Sequence, residues 1–343
     1  MLGVYDINGY ARGRILWKGL QSQKIPVDIV LPKTRKYLAI AKRLLKKDFD
    51  IILATGKLVL LTAWLMKWWH RKPIVFDVFI SDYDTMVIDR KLVKPGSLKA
   101  KLLWFGDRWS CKIADHIIHD TEEHIDYFVD EFSLSREKFE EVLIGADDEI
   151  FAPLAEKPHK GFRVLIHGTL IPLQGIPYIL NAAKTLEAHK DISFDIIGAG
   201  QTFDEMKTLA HTLRLTNIIF HGMKRVEQLP SYYEDADVGL GIFGDTPKTL
   251  RVIPNKAYEI LAMKRALISG DTPPMRRWLA DGTHALLCKV ADAQTLANAI
   301  LALKKDAALR SNLAEQGYQQ YVKTSSNAAI GIRLNGLFSK WIV

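Results

Sequence analysis

Residues 162–183 read FRVLIHGTLIPLQGIPYILNAA. An apolar run ends at His167 and Gly168, a short loop punctuated by Pro172 and Gly175 follows, and aliphatic residues then recur at helical spacing. Strand, glycine-bearing loop and helix make the repeating unit of parallel sheets. The cycle restarts at once. SFDIIGAG (193–200), NIIFHG (217–222), VGLGIF (238–243), ALISG (266–270) and ALLCK (285–289) are short apolar runs between longer amphipathic stretches, and helices close the chain from Thr295. Runs this continuously apolar are covered on both faces, so the expectation is an α/β fold with doubly wound parallel sheets.

Upstream of this segment, FAPLAEKPHKG (151–161) is a polar stretch broken by Pro153, Pro158 and Gly161, and it reads as a linker. The first half runs through its own alternation. LGVYDI, VDIVL, DIILAT, PIVFDVF, DHIIHD and EEVLIG read as strands, with helices expected over Arg14–Gln23, Lys36–Lys47, Leu58–His70 and Thr121–Phe132. A chain of 343 residues suits two domains of ordinary size better than one core. We expect residues 1–153 to form the first Rossmann-like domain and 154–322 the second, with a C-terminal helix, about 323–343, packing back on the first.

Charge is unevenly spread. The net +8 divides into +13 for Met1–Lys112, −11 for Ile113–Ile150 and +6 for the remainder. A basic lobe of this kind favours anionic partners or is simply a solvated face. It carries no recognised nucleic-acid reading module, so no nucleic-acid partner is expected. Two distant cysteines, Cys111 and Cys288, suggest a reducing compartment, and the start MLGVYDINGY does not read as a signal peptide. The longest apolar run, Leu58–Met66, is too short to span a bilayer. A cytoplasmic location is the expectation, with peripheral attachment to the inner face of the cell membrane.

Five blocks in order resemble the retaining family 4 glycosyltransferases of the GT-B fold. IGADDEIFAP (144–153) resembles that family's domain-junction turn, and residues 162–183 its opening donor-domain strand, loop and helix. FDIIGAGQ (194–201), IIFHGMKRVEQLPSYYEDADVGLGIF (218–243) and PNKAYEILAMKRALISGD (254–271) resemble the next three blocks. The resemblance covers nearly the whole chain. It implies two facing domains with a cleft, an acceptor-side N-terminal domain, a C-terminal nucleotide-sugar domain, a UDP- or GDP-sugar as substrate, and neither cofactor nor metal.

The residues admit chemistry consistent with this. Glycines at 168 and 175 leave backbone free to approach a diphosphate, and the following helix start offers unpaired N–H groups; an ordinary βα turn is the alternative. Gly198 and Gly200 end the next strand and suit either a tight turn or base and ribose contact. Lys256 and Glu259 lie three apart at a helix start and share a face. The resemblance implies that Glu259 accepts from the ribose hydroxyls, which a carboxylate can do for two neighbours at once.

Departures from the family pattern are equally informative. Thr169 stands where an arginine is usual, Gln174 where a lysine is usual, and Arg251 where a second glutamate is common. The loop GDTPKTLRVIPNK brings Lys248, Arg251 and Lys256 close to the same helix start, so the diphosphate charge is expected to have moved there. In KPIVFDVFISDYDT the position of a family histidine is Phe79, which leaves Asp77, Ser81, Asp82 and Asp84 as polar neighbours. Asp82 and Asp84 are the catalytic candidates, for charge stabilisation or acceptor orientation, with a helix cap by Ser81 or Asp82 as the alternative. His119 and His124 are ambiguous between structure and chemistry. The first loop, DINGYARGR, contributes Asn8 and Gly9, which the resemblance lays against the donor phosphates.

KLVLLTAWLMKWWHRK (57–72) sets Trp64, Trp68 and Trp69 beside basic residues, and KRLLKK (42–47) and LKAKLLWFGDRW (98–109) repeat the composition. Such stretches suit an anionic lipid surface or a core helix with a solvated basic end. Sugar transfer to a glycan or lipid-linked acceptor in envelope polysaccharide synthesis is the leading function. A nucleotide-sugar 2-epimerase and a non-catalytic binding protein are the alternatives.

Overall fold

The computed structural model describes residues 2–3, 11–30, 36–155 and 157–342. The chain forms two compact units, Met1–Gly145 with Ser325–Val343, and Ala146–Thr324.

The first unit contains β1 (Leu2–Gly3), α1 (Ala11–Ser22), α2 (Lys36–Leu44), β2 (Ile52–Thr55), α3 (Lys57–Leu65), α4 (Lys67–His70), β3 (Ile74–Asp77), α5 (Leu98–Ile113), β4 (His116–His119), α6 (Glu122–Phe132) and β5 (Phe139–Glu141). The strands form one parallel sheet in the order β1-β2-β3-β4-β5. β2 and β3 are buried along their length, which is why ILAT and IVFD are so apolar. Ile52, Ile74, Phe76, Ile117, Phe128 and Phe132 belong to the core beneath.

Two sequence expectations change here, and one local feature is new. Leu58–His70 is not one helix: Met66, at φ −94° and ψ 2°, divides α3 from α4. VDIVL forms no strand among its described residues and contributes a single bridge at Val30. The polar residues after β3 enter a π-helical turn, Asp84–Asp89.

The second unit contains β6 (Phe162–His167), α7 (Ile176–Thr185), β7 (Ile192–Ile197), α8 (Phe203–Thr212), β8 (Ile218–Gly222), α9 (Leu229–Tyr233), β9 (Val238–Leu240), α10 (Asn255–Ala262), β10 (Ala266–Gly270), α11 (Pro273–Trp278), β11 (Leu286–Cys288), α12 (Ala293–Lys305) and α13 (Ala307–Thr324). Its parallel sheet has the order β11-β10-β9-β6-β7-β8. The chain therefore builds outward from β6 to β8, then returns to lay β9 on the other side of β6. That reversal is a topological switch point, and doubly wound sheets bind ligands at the carboxyl ends of the strands there.

The last helix, α14 (Asn327–Trp341), returns to the first unit and packs along α1. The contact is close because glycine meets glycine. A Cβ on Gly331 would overlap the carbonyl of Gly19, and one on Gly19 would come within 3.0 Å of the Gly331 amide nitrogen.

Candidate functional site

Within the second unit, His167 and Gly168 lie at the carboxyl end of β6, on the switch-point side of the sheet. Gly168 has φ +132°, and a Cβ there would sit 3.3 Å from the Lys256 ammonium nitrogen. Lys256 enters from the first turn of α10, is 4% exposed, and donates to the Gln174 side-chain carbonyl. Burial pulls its pKa down to about 7, against the opposing charge of Glu259. Gln174, placed where a lysine was looked for, is thus the acceptor for a lysine from another element.

Glu259, one turn further along α10, faces the end of β6. His167 Nε2 lies 2.5 Å from Glu259 Oε2, and His167 Nδ1 lies 2.7 Å from the buried Tyr233 hydroxyl. Lys256 and Glu259 share a face of α10 without forming an ion pair; Glu259 is held by His167 at the end of β6, and Lys256 by Gln174 in the loop that follows. Lys248 lies in the 3-10 turn Pro247–Leu250, and Arg251, half-buried, follows it ahead of α10.

The remaining glycines answer to packing. Gly175, at φ +68°, abuts the backbone of Phe243 and Gly244, so the loop after β6 touches the loop after β9. Gly198, at φ +140°, leaves no room for a Cβ beside the Gly168 carbonyl, and one on Gly200 would be 2.5 Å from the Leu170 carbonyl. Hydrogen bonds from Gly168 to Ile197 and from Leu170 to Ala199 (2.9 and 3.0 Å) join the same two loops. Thr169 is left exposed at the surface of this assembly. Gly9 and Asn8 lie outside the described residues.

In the first unit, Asp82 pairs with Lys57, and its side chain is 52% exposed. Asp84 is buried, and its amide donates to Ser81 Oγ at 2.9 Å, the capping geometry foreseen for Ser81. The residue that organises this turn was not singled out in the sequence. Asp107, buried in α5, accepts from Ser81 Oγ at 2.8 Å and the Tyr83 amide at 2.9 Å, and pairs with Lys57. Its signal was faint: one acid within a basic amphipathic helix.

His119, Asp120 and His124 are buried together, with ligand-type atoms within 4.8 Å of one another. A single carboxylate oxygen, Asp120 Oδ1, lies 2.5 Å from His119 Nδ1 and 2.7 Å from His124 Nδ1. These are hydrogen-bond separations, shorter than the spacing of ligands around a shared ion at roughly 2.0–2.2 Å from each. Burial holds the His119 pKa down to about 4, whereas the two imidazoles keep Asp120 well below the ordinary carboxylate range.

His167 and Tyr233 were also missed. The histidine interrupts an apolar strand at its end, which was a usable signal, but its partners come from α9 and α10 and are visible only in three dimensions.

The sequence family described as Glycosyl transferases group 1 matches residues 147–320. TuaH of Bacillus subtilis (strain 168), named as a teichuronic acid biosynthesis glycosyltransferase, is 23% identical over 188 residues, 54% of this chain and 45% of the relative. Alpha-D-kanosaminyltransferase of Streptomyces kanamyceticus is 24% identical over 177 residues, 51% of this chain and 45% of the relative. The alignments thus span about half the length of these curated relatives. Among solved structures, Anabaena Alr3699/HepE in complex with UDP superposes with a TM-score of 0.72 at 14% identity, covering 99% of this chain and 98% of that one. Two parallel-sheet α/β units and such neighbours fit the GT-B fold. With the family match spanning half of its length, the chain belongs to the group 1 glycosyl transferases.

Proposed function

We propose that this chain transfers a sugar from a nucleotide-sugar donor with retention, as a branch of the family 4 enzymes in which Thr169 and Gln174 replace the usual arginine and lysine. One observation carries the reading: at the switch point, a buried lysine beside Gly168 and a tethered glutamate lie one turn apart on α10. A cation next to bare backbone suits a diphosphate, and a carboxylate beyond it suits the ribose diol. Lys256 supplies the charge that position 174 lacks, with Lys248 and Arg251 completing the basic approach. The UDP held by Anabaena Alr3699/HepE supports a nucleoside diphosphate as the leaving group.

Calorimetric titration tests this directly. UDP and GDP are compared with their nucleosides on the wild type, Glu259→Ala, and single alanine variants of Lys248, Arg251 and Lys256. Glu259→Ala is expected to weaken nucleotide and nucleoside together by about tenfold or more, the worth of a hydrogen bond to a charged group. The lysine and arginine variants should selectively erode the preference for diphosphate over nucleoside. A preference that survives all three changes would falsify the relocation of charge.

The first unit is the acceptor side in this reading, with Asp82, half exposed after β3, as the better placed of the two candidate carboxylates. The acceptor is a glycan or a lipid-linked sugar in envelope polysaccharide synthesis, a role that the teichuronic acid relative supports. Among the described residues no helix is long and apolar enough to cross a membrane. Peripheral attachment to an anionic surface is supported by exposure: among the described residues, thirteen of nineteen exposed large hydrophobics fall between Tyr37 and Phe105, within the basic segment.

A further inference from the structure

His167 is the middle member of a chain of three polar groups inside the second unit. The Tyr233 ring meets its imidazole edge-on, with centroids 5.6 Å apart at 90°. Tyr233 is 0% exposed, and burial together with the charge of Glu259 drives its pKa far up, so the hydroxyl keeps its proton. The carboxylate at the far end can only accept. Nε2 must therefore carry a hydrogen toward Glu259 Oε2, and the Tyr233 hydroxyl donates to Nδ1 whenever the ring is neutral. The proton order runs from Tyr233 to His167 to Glu259, with the ring held in one tautomer.

Glu259 is constrained by this chain in a way that its own helix does not provide. A glutamate's terminal torsion is broad and roughly two-fold, so an untethered carboxylate samples many planes. Here Oε2 is bound to a ring that is packed and hydrogen-bonded from its other side. Oε1 has no hydrogen-bond partner among the described residues, and the side chain is 13% exposed. One oxygen is anchored and its neighbour is presented.

We propose that His167, oriented by Tyr233, is a positioning residue for Glu259, fixing the carboxylate plane so that it accepts from the ribose hydroxyls of the donor nucleotide. This rests on the ribose reading of Glu259 given above. The observable is discrimination between ribose and deoxyribose, which a merely structural residue does not control.

The test titrates UDP and GDP against their 2′-deoxy counterparts, following the thermal midpoint of every variant. His167→Leu strands the buried Tyr233 hydroxyl, so the main variant is the double change His167→Leu with Tyr233→Phe, which removes both polar partners together. It is expected to lose about tenfold in preference for the ribonucleotide, the size of one charge-assisted hydrogen bond. His167→Gln, which can still donate to Glu259, should retain most of that preference. If the double variant fails to fold, Tyr233→Phe alone is read in the same way, with a smaller loss expected. A folded double variant that keeps the wild-type preference overturns the proposal, as does a His167→Gln protein that loses as much as the double variant. Glu259→Ala separates the two ideas: if it too keeps the preference, the ribose reading itself has failed.

Discussion

Lys256 is a lysine almost without access to water, resting on a neutral amide rather than a carboxylate. Its folded pKa, about 7, lies below the unfolded value of 10.5. For a base shifted down, the cost of burying the charge is fully present below about pH 7 and is relieved as pH rises from 7 toward 10.5. Stability contributed by this group therefore increases with pH across that window. A bound diphosphate reverses the preference by favouring the ammonium, so binding takes up a proton once the free lysine is neutral. Affinity for UDP or GDP is expected to fall with pH above about 7, by up to about tenfold per unit for one linked proton. Calorimetry in two buffers of different ionisation enthalpy reads the proton uptake. Lys256→Met should bind more weakly and without this dependence; an equal dependence in that variant would assign the proton to another group.

At the scale of elements, α5 is where the surface chemistry of the first unit concentrates. Leu98, Leu102 and Phe105 are 74%, 64% and 59% exposed and fall on one helical stripe. The stripe continues to Trp109, whose ring meets that of Trp64 on α3 at 5.7 Å. Lys91, Lys94, Lys99 and Lys101 flank it, and residues 91–106 contain no acid. None of these lysines has an ion-pair partner among the described residues. Near an anionic surface each contributes about 1 kcal/mol, fading within a Debye length. Wild-type protein should float with phosphatidylglycerol vesicles at low salt, and weakly or not at all with neutral ones. Changing Leu98, Leu102 and Phe105 to Ser should remove the salt-resistant part of that binding. The Trp64, Trp68 and Trp69 triple change to Ser should weaken it as well, because Trp68 is 76% exposed and Trp69, beside Lys47, is still 40% exposed. Wild type that stays soluble with anionic vesicles at low salt would return this face to ordinary solvated surface.

For the molecule as a whole, the α1–α14 seam and the proposed nucleotide site fall in different units. The contact of α1 with α14 depends on Gly19 and Gly331 and belongs to the first unit, whereas His167, Lys256 and Glu259 belong to the second. Gly331→Val forces a branched side chain into the Gly19 backbone, and overpacking of this kind costs about 1–3 kcal/mol. Scanning calorimetry should show part of the unfolding transition moving to lower temperature, with UDP or GDP affinity below that transition unchanged. A uniform shift of the entire transition, or equal loss of nucleotide affinity, would mean that the units do not unfold separately.

Sequence by itself determined the alternation of strands and helices, because a strand covered on both faces must be apolar along its length and its loops must be polar. VLIHG and IIGAG declare their strand ends by that rule, and PNKAYEILA declares the helix that carries Lys256 and Glu259. The sequence also marked the segment that carries surface charge. It did not reveal that Met66 breaks the tryptophan helix, since the apolar spacing runs through the break. Glycine had two readings at 198 and 200, and only the neighbouring loop, with its carbonyls against their α-carbons, shows that packing already requires it. Tertiary structure alone brought Lys256 to Gln174 and Tyr233 through His167 to Glu259. Those partners are 82, 66 and 92 residues apart, and a hydrogen bond between side chains at such separation leaves no periodicity in the chain that makes it.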